Sequence, residues 1–245
     1  MKNVLITGAN KSIGFETARQ LAQKGYFVYL GSRDLQNGQE AARKLKDEGF
    51  ANVRPIKIDV SDALSIAAAR EEIGSQTETL DVLINNAGIS GGLPQEAQTF
   101  PVEKIRTVFE TNFFGAIAVT QAFFDLLQNS TQPRIVNVTS GLASLTLHSD
   151  PSWRFYAVKS AAYGPSKTAL NAYTVALAYQ LQDTTFKVNA VDPGYTKTDF
   201  NDHHGTNDIP TAAGYVVDCA ILDEDGPSGK FFSYDNNPES GISPW

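Results

Sequence analysis

A chain of 245 residues that is 42% hydrophobic can bury a sizeable core, and no linker-like run or repeat divides it, so a single domain over 1–245 is expected. Its net charge of −7, with the basic residues scattered, argues against nucleic acid and acidic membrane surfaces as partners. The lone Cys219 allows no intrachain disulfide, no signal-like apolar region follows Lys2, and no apolar run reaches the roughly 18 residues of a membrane helix. The expected setting is the cytoplasm.

In chain order, strand-like runs are predicted near 3–7, 26–31, 53–58, 80–85, 134–139, 186–192 and 229–233. Helical patterns alternate with them near 14–24, 35–48, 62–75, 102–128, 160–182 and 211–222. The strands are rich in Val, Ile, Leu and Phe with little polar alternation, as in strands buried on both faces. The fold class expected is α/β, a doubly wound parallel sheet of about seven strands flanked by helices. Ser61 or Asp62 is placed to cap the third helix. The polar segment Tyr195 to Ile209 lacks periodicity and follows a strand's carboxyl end, the position of a mobile lid over a ligand.

The first strand runs into a turn, Gly8-Ala9-Asn10-Lys11-Ser12-Ile13-Gly14, and then a helix, the opening half of a dinucleotide-binding unit. Small residues let backbone N–H groups approach a pyrophosphate, and the helix N-terminus favours the anion. The second strand ends at Ser32-Arg33-Asp34. Arg33 and Lys11 near one 2′-phosphate argue for NADP(H) over NAD(H), with Asp34 as the contrary sign. Farther on, Tyr163 and Lys167 stand four apart on a predicted helix. That spacing puts an ammonium on the face of a phenol and draws the phenol's pKa toward working pH, as acid–base chemistry on an alcohol or carbonyl requires.

On these residues the chain resembles the short-chain dehydrogenase/reductase family over nearly its whole length. The motifs are Thr7 to Gly14, Asn85-Asn86-Ala87-Gly88, Thr111-Asn112-Phe113, Ser140, the Tyr163/Lys167 pair, and Pro193-Gly194. The stretches Asn10-Lys11 and Ser32-Arg33-Asp34, with the segment before Tyr163, are most similar to NADPH-dependent carbonyl reductases. The resemblance implies that Ser140 bonds the substrate oxygen and Tyr163 gives or takes its proton. Lys167 would hold the nicotinamide ribose and lower the tyrosine pKa, and Asn112 would hold a water linking Lys167 to solvent. Cofactor contacts are implied for Gly8, Asn10, Lys11, Ser12, Ile13, Gly14, Arg33, Asp59, Val60, Asn86, Ala87, Gly88, Tyr163, Lys167, Pro193, Gly194, Thr196 and Thr198. Asp59-Val60 would face the adenine ring.

Two features depart from the family pattern. Ser12 stands where a glycine is usual, and twenty-three residues separate Ser140 from Tyr163 where about a dozen is usual. The extra segment, 146–158, either shapes the substrate pocket or covers the adjacent helix face. The second possibility is the reason to expect a monomer rather than a dimer or tetramer. Ser140, Leu142, Tyr163 and Tyr195, with Trp153 and Phe155, are the expected substrate contacts and suit an apolar or aromatic carbonyl compound. No metal site is expected, since His203 and His204 are adjacent and no cysteine pair exists. The implied activity is reversible reduction of a ketone or aldehyde, and the alternative is a non-catalytic NADP(H)-binding sensor or scaffold.

Overall fold

The computed structural model describes all residues, 1–245. Seven strands form one parallel sheet in the order β3-β2-β1-β4-β5-β6-β7. They are β1 (Asn3–Ile6), β2 (Phe27–Ser32), β3 (Val53–Lys57), β4 (Val82–Asn85), β5 (Arg134–Val138), β6 (Lys187–Val191) and β7 (Phe231–Phe232). The helices are α1 (Ser12–Gln23), α2 (Leu35–Asp47), α3 (Ala63–Gly74), α4 (Val102–Phe109), α5 (Gly115–Ala122), α6 (Phe124–Gln128), α7 (Leu145–His148), α8 (Tyr163–Gln180) and α9 (Ile209–Ala220). Strand order reverses between β1 and β4, so the chains leaving these strands diverge and open a crevice at their carboxyl ends.

The absence of polar alternation in the strands is explained by two cores, one on each face of the sheet. Val4, Ile6, Val82, Ile84, Val136 and Val138 point to one face, against Ala18, Leu21 and Ala22 of α1 and Val216 and Val217 of α9. Leu5, Leu83 and Ile135, the alternate positions, point to the other, with Ile66, Val119, Phe123, Leu126 and Leu177. Asp62, rather than Ser61, caps α3, accepting from the Leu64 N–H at 2.9 Å. The last predicted strand shortens to two residues, paired with Ala190 and Val191.

The expected helix over 102–128 is instead three helices with a π turn at Glu110–Phe114, closed by Gly115 N–H donating to Glu110 O. The sequence there contains no proline, and a single glycine, Gly115, stands at the end of the turn. It forms where Asn112 is drawn out of register by bonds to a distant loop, described below. The helix expected to begin at 160 begins at Tyr163. No helix is long and apolar enough to cross a membrane. Phe123 is wholly buried in the second core. Phe123→Ala is expected to lower unfolding free energy by about 3–5 kcal/mol, read from the denaturant midpoint; a loss under about 1 kcal/mol overturns that placement.

Candidate active site

All the sequence-derived site residues gather at the carboxyl end of the sheet. The Thr7 hydroxyl joins the ends of β1 and β4, accepting from the N–H groups of Asn86 and Ala87, each at 3.0 Å. The Asn86 side chain reaches back to donate to Thr7 O (2.9 Å) and Gly8 O (3.0 Å). The turn after β1 is thereby shaped from β4. Gly8 has φ +63, and a Cβ at Gly14 would stand 2.5 Å from Asn86 Nδ2 and 2.6 Å from Gly8 O, so both positions need glycine. Asn10, Lys11, Ser12 and Ile13 complete the turn. Ser12 takes φ +56, the left-handed backbone that the family's usual glycine adopts freely and serine adopts at a cost of about 1–2 kcal/mol.

At the end of β2, Asp34 is the N-cap of α2 and accepts from Asn37 N–H at 2.9 Å, while Arg33 is exposed and makes no salt bridge. Lys11 reaches across to Asp199 of the 195–209 loop at 2.9 Å. Asp59, after β3, turns its carboxylate onto Ser61 (3.0 Å to N, 2.7 Å to Oγ), and the neighbouring Val60 is buried. A Cβ at Gly88 would come within 3.4 Å of both Lys167 Nζ and Asn112 Oδ1. Ala87 and Gly88 therefore leave a floor of bare backbone beside the Lys167 ammonium. The glycine turn at the start of α1, this floor, and the cations Lys11 and Arg33 fit a nicotinamide dinucleotide.

Lys167 is buried and donates to Val138 O at 2.7 Å; desolvation pushes its pKa from 10.5 down to about 8. Tyr163 moves the other way. Burial raises its phenol to about 12, the Ser140 side chain as hydrogen-bond partner opposes the rise, and the Asp192 carboxylate adds to it. The expectation that Lys167 lowers the Tyr163 pKa is therefore corrected for the protein without a bound dinucleotide. The two side chains share a helix face, but the ammonium is turned onto Val138 and is itself disfavoured by burial. The phenol consequently keeps its proton far above neutral pH.

The Asn112 side chain makes three hydrogen bonds within the protein. Its Nδ2 donates to Ile89 O and Ser166 Oγ, both at 3.0 Å, and its Oδ1 accepts from Ile89 N–H at 2.8 Å. Its side chain works as a clamp between the post-β4 loop and α8. Ser140 lies two residues beyond β5 and accepts from Leu142 N–H at 3.2 Å, with Leu142 half-buried. After β6, Gly194 has φ +78 and Thr196 Oγ1 donates to Pro193 O and Gly194 O, each at 3.1 Å. Thr198 caps a 3-10 turn that carries Phe200 onto the Tyr163 ring, centroids 5.3 Å apart.

The 195–209 loop has more structure than its sequence suggests. Its base is closed by a Thr196–Asn207 bridge, and Asp235 ties it down by accepting from Tyr195 N–H and Asn207 Nδ2. The inserted segment joins the same corner: Arg154 pairs with Asp235 at 3.0 Å, and Trp153 Nε1 donates to Asn236 at 3.1 Å. A line of rings, His148, Trp153, Phe155 and Tyr195, runs along the rim at centroid spacings of 4.9, 5.5 and 6.0 Å. The insertion thus builds part of the crevice rim beside the 195–209 loop. Phe114, Val175 and Tyr179 stay exposed on α8 and the π turn, which removes the covered helix face as a reason to expect a monomer.

The model of the short chain dehydrogenase family matches residues 2–208 of this sequence. The chain belongs to the short-chain dehydrogenase/reductase family. It is 35% identical to (−)-isopiperitenone reductase of Mentha piperita, over 94% of this chain and 96% of that one. It is 34% identical to (+)-neomenthol dehydrogenase of Capsicum annuum, over 93% and 94%. The structure of salutaridine reductase from Papaver somniferum superposes with a TM-score of 0.83 at 30% identity, covering 95% of this chain and all of that one.

Within this short-chain reductase frame, the sequence reading did not single out Gln95, Asp192, Phe200 or Asp235. Asp192 is buried directly before Pro193-Gly194. Desolvation pushes its carboxyl up, against donors from Ser233 Oγ (2.7 Å) and the N–H groups of Gly194 (2.9 Å) and Gly141. An acid at the end of a strand run, directly before Pro193-Gly194, was the available signal for it; the others have none.

Lys167 sets a pH signature. Between about 8 and 10.5 the unfolded chain holds the lysine proton and the folded site has released it, so stability rises with pH across that window. The penalty for burying the charge is fully present below 8 and amounts to about 3 kcal/mol. Lys167→Met is expected to remove this rise from the ligand-free protein's stability-against-pH curve. An identical slope in the variant overturns the placement.

Proposed function

We propose that the protein is an NADPH-dependent reductase of small ketones or aldehydes, able to run in reverse on alcohols, with Tyr163 as the proton donor. The observation that carries this reading is the Tyr163 phenol, held protonated beside Ser140 at the mouth of the crevice, with Lys167 buried behind it. A phenol that keeps its proton at neutral pH is suited to donate one to a developing alkoxide, which is what carbonyl reduction needs. Reduced nicotinamide, when bound, supplies the hydride. Ser140 would orient the carbonyl oxygen toward Tyr163, and Lys167 would hold the ribose from below, beside Gly88. Pro193, Gly194, Thr196 and Thr198 would fix the carboxamide end.

NADP(H) is favoured over NAD(H) because Asp34 spends a carboxylate oxygen as a helix cap, while Arg33 is exposed and unpaired at the strand end where a 2′-phosphate would lie. Leu142, Phe155, Tyr195 and Phe200 line an apolar, aromatic rim suited to a small apolar carbonyl compound, in keeping with relatives named as a reductase of isopiperitenone and a dehydrogenase of neomenthol. A non-catalytic sensor would have no use for the Ser140, Tyr163 and Lys167 set.

The test follows loss of reduced-nicotinamide absorbance with a panel of aryl and cyclic ketones. Tyr163→Phe is expected to abolish turnover while NADPH still binds with wild-type affinity. Turnover by that variant within about tenfold of wild type overturns the role of Tyr163. Arg33→Ala is expected to raise the KM for NADPH about tenfold, near 1.4 kcal/mol, and to leave that for NADH unchanged. Faster turnover with NADH by the wild type overturns the cofactor choice.

A further inference from the structure

Tyr163 is the first residue of α8, and the residue at the cap position, Ala162, has no side chain able to cap it. The first N–H groups of a helix have no partners within it, and buried ones must find partners elsewhere. Here each can be traced. Gly164 N–H donates to Ser160 Oγ at 2.8 Å, Pro165 has no N–H, and Ser166 N–H makes the first bond of the helix ladder, to Ala162 O at 2.9 Å. The N–H groups of Ala162 and Tyr163 itself go to a single atom, Gln95 Oε1, at 3.0 and 3.1 Å.

Gln95 lies 68 residues away in the loop that leaves β4, and it is 5% exposed. The other half of its carboxamide donates to Ser90 O at 2.6 Å and Gly92 O at 2.8 Å. Two acceptances and two donations use the full capacity of an amide, and a flipped amide would set like against like at all four contacts. Gln95 O also accepts from Ala161 N–H at 3.1 Å. Tyr163 O is held too, accepting from Ser166 Oγ at 2.7 Å, which in turn accepts from Asn112 Nδ2. The main chain at Tyr163 is therefore gripped on both sides, by Gln95 directly and, through Ser166, by Asn112 of the π turn, which is itself bonded to Ile89.

We propose that Gln95 is a positioning residue for the reaction: its carboxamide caps the helix that begins at Tyr163 and fixes the phenol's location relative to Ser140. This rests on Tyr163 being the proton donor. A hydroxyl at the tip of a first-turn side chain moves with any rotation of that turn, and a displacement of about 1 Å costs on the order of a hundredfold in rate. The dinucleotide turn, tied instead to Asn86 and Thr7, does not depend on Gln95.

Two variants test this. Gln95→Leu keeps the bulk and removes all four side-chain bonds; Gln95→Glu keeps the acceptor and turns a second oxygen on Ser90 O and Gly92 O. Thermal midpoint, NADPH affinity by fluorescence, and kcat and KM from mildly acidic to mildly alkaline pH are measured for both. The Leu variant is expected to bind NADPH within about threefold of wild type and to lose on the order of a hundredfold in kcat at every pH, with little change in KM. The Glu variant is expected to be as slow at alkaline pH and to recover in acid, where its protonated carboxyl can donate to one of the two carbonyls. A folded Leu variant with kcat within about threefold of wild type overturns the proposal, as does a loss of kcat matched by an equal loss of NADPH affinity. Should the Leu variant fail to fold, a Glu variant whose pH profile is parallel to that of wild type overturns it. Turnover retained by Tyr163→Phe is a separate result: it removes the proton-donor reading itself, whatever the Gln95 variants do.

Discussion

The architecture of this site depends on one join, the hydroxyl of Thr7 and the carboxamide of Asn86 holding the ends of β1 and β4 together. These strands are neighbours at the point where strand order reverses, so the chain after β1 and the chain after β4 leave in different directions. Without a cross-tie the glycine turn would be an unsupported loop beside an open crevice. With it, Thr7 satisfies two N–H groups of the β4 exit while Asn86 satisfies two carbonyls of the β1 exit. The close approach of Gly14 to Asn86 and Gly8 accompanies that join, and the side-chain-free backbone of Gly88 lies just beyond it. A cofactor cradle made of main chain requires side chains that hold main chain, which is the work these two residues do.

The electrostatics of the crevice follow from burial more than from pairing. Lys167 meets a carbonyl rather than a carboxylate, so desolvation is unopposed and its proton is loosened. Burial likewise raises the Tyr163 phenol, and the Asp192 carboxylate adds to the rise, so its proton is tightened. The two shifts converge from opposite sides: an ammonium that titrates near 8 lies behind a phenol that does not titrate near neutrality. Such a site is biased toward giving a proton at the substrate oxygen. The bias is a property of the folded crevice, because in an open helix the same i, i+4 pair would shift the phenol in the opposite direction.

The rim of the crevice is assembled from three stretches far apart in the chain, with Asp235 where they meet. Its carboxylate receives Arg154 from the insertion and Tyr195 N–H and Asn207 from the long loop. One acidic side chain therefore ties together the segments that carry the aromatic line along the rim. Phe200, carried on the same loop by the Thr198 cap, contacts the Tyr163 ring.

The sequence by itself determined the doubly wound sheet, because strands without polar alternation must be covered on both faces, and helical patterns between them supply the cover. It also determined the places of the glycine turn, Asn86, Asn112, Ser140, Tyr163 and Lys167, since each belongs to a motif whose order along the chain follows the order of the strands. What only the tertiary structure decided are features set by contacts across long separations. The π turn at Asn112 forms where a carboxamide is pulled to Ile89, a contact that the single Gly115 within residues 102–128 does not announce. The start of α8 falls at Tyr163 because Gln95 supplies its cap from another loop. The direction of the Tyr163 and Lys167 shifts was not legible either, because spacing on a helix says which groups are near and burial decides which charge survives. Period and motif are local properties that a chain displays unfolded. Desolvation and long-range hydrogen bonds exist only once the chain has closed on itself.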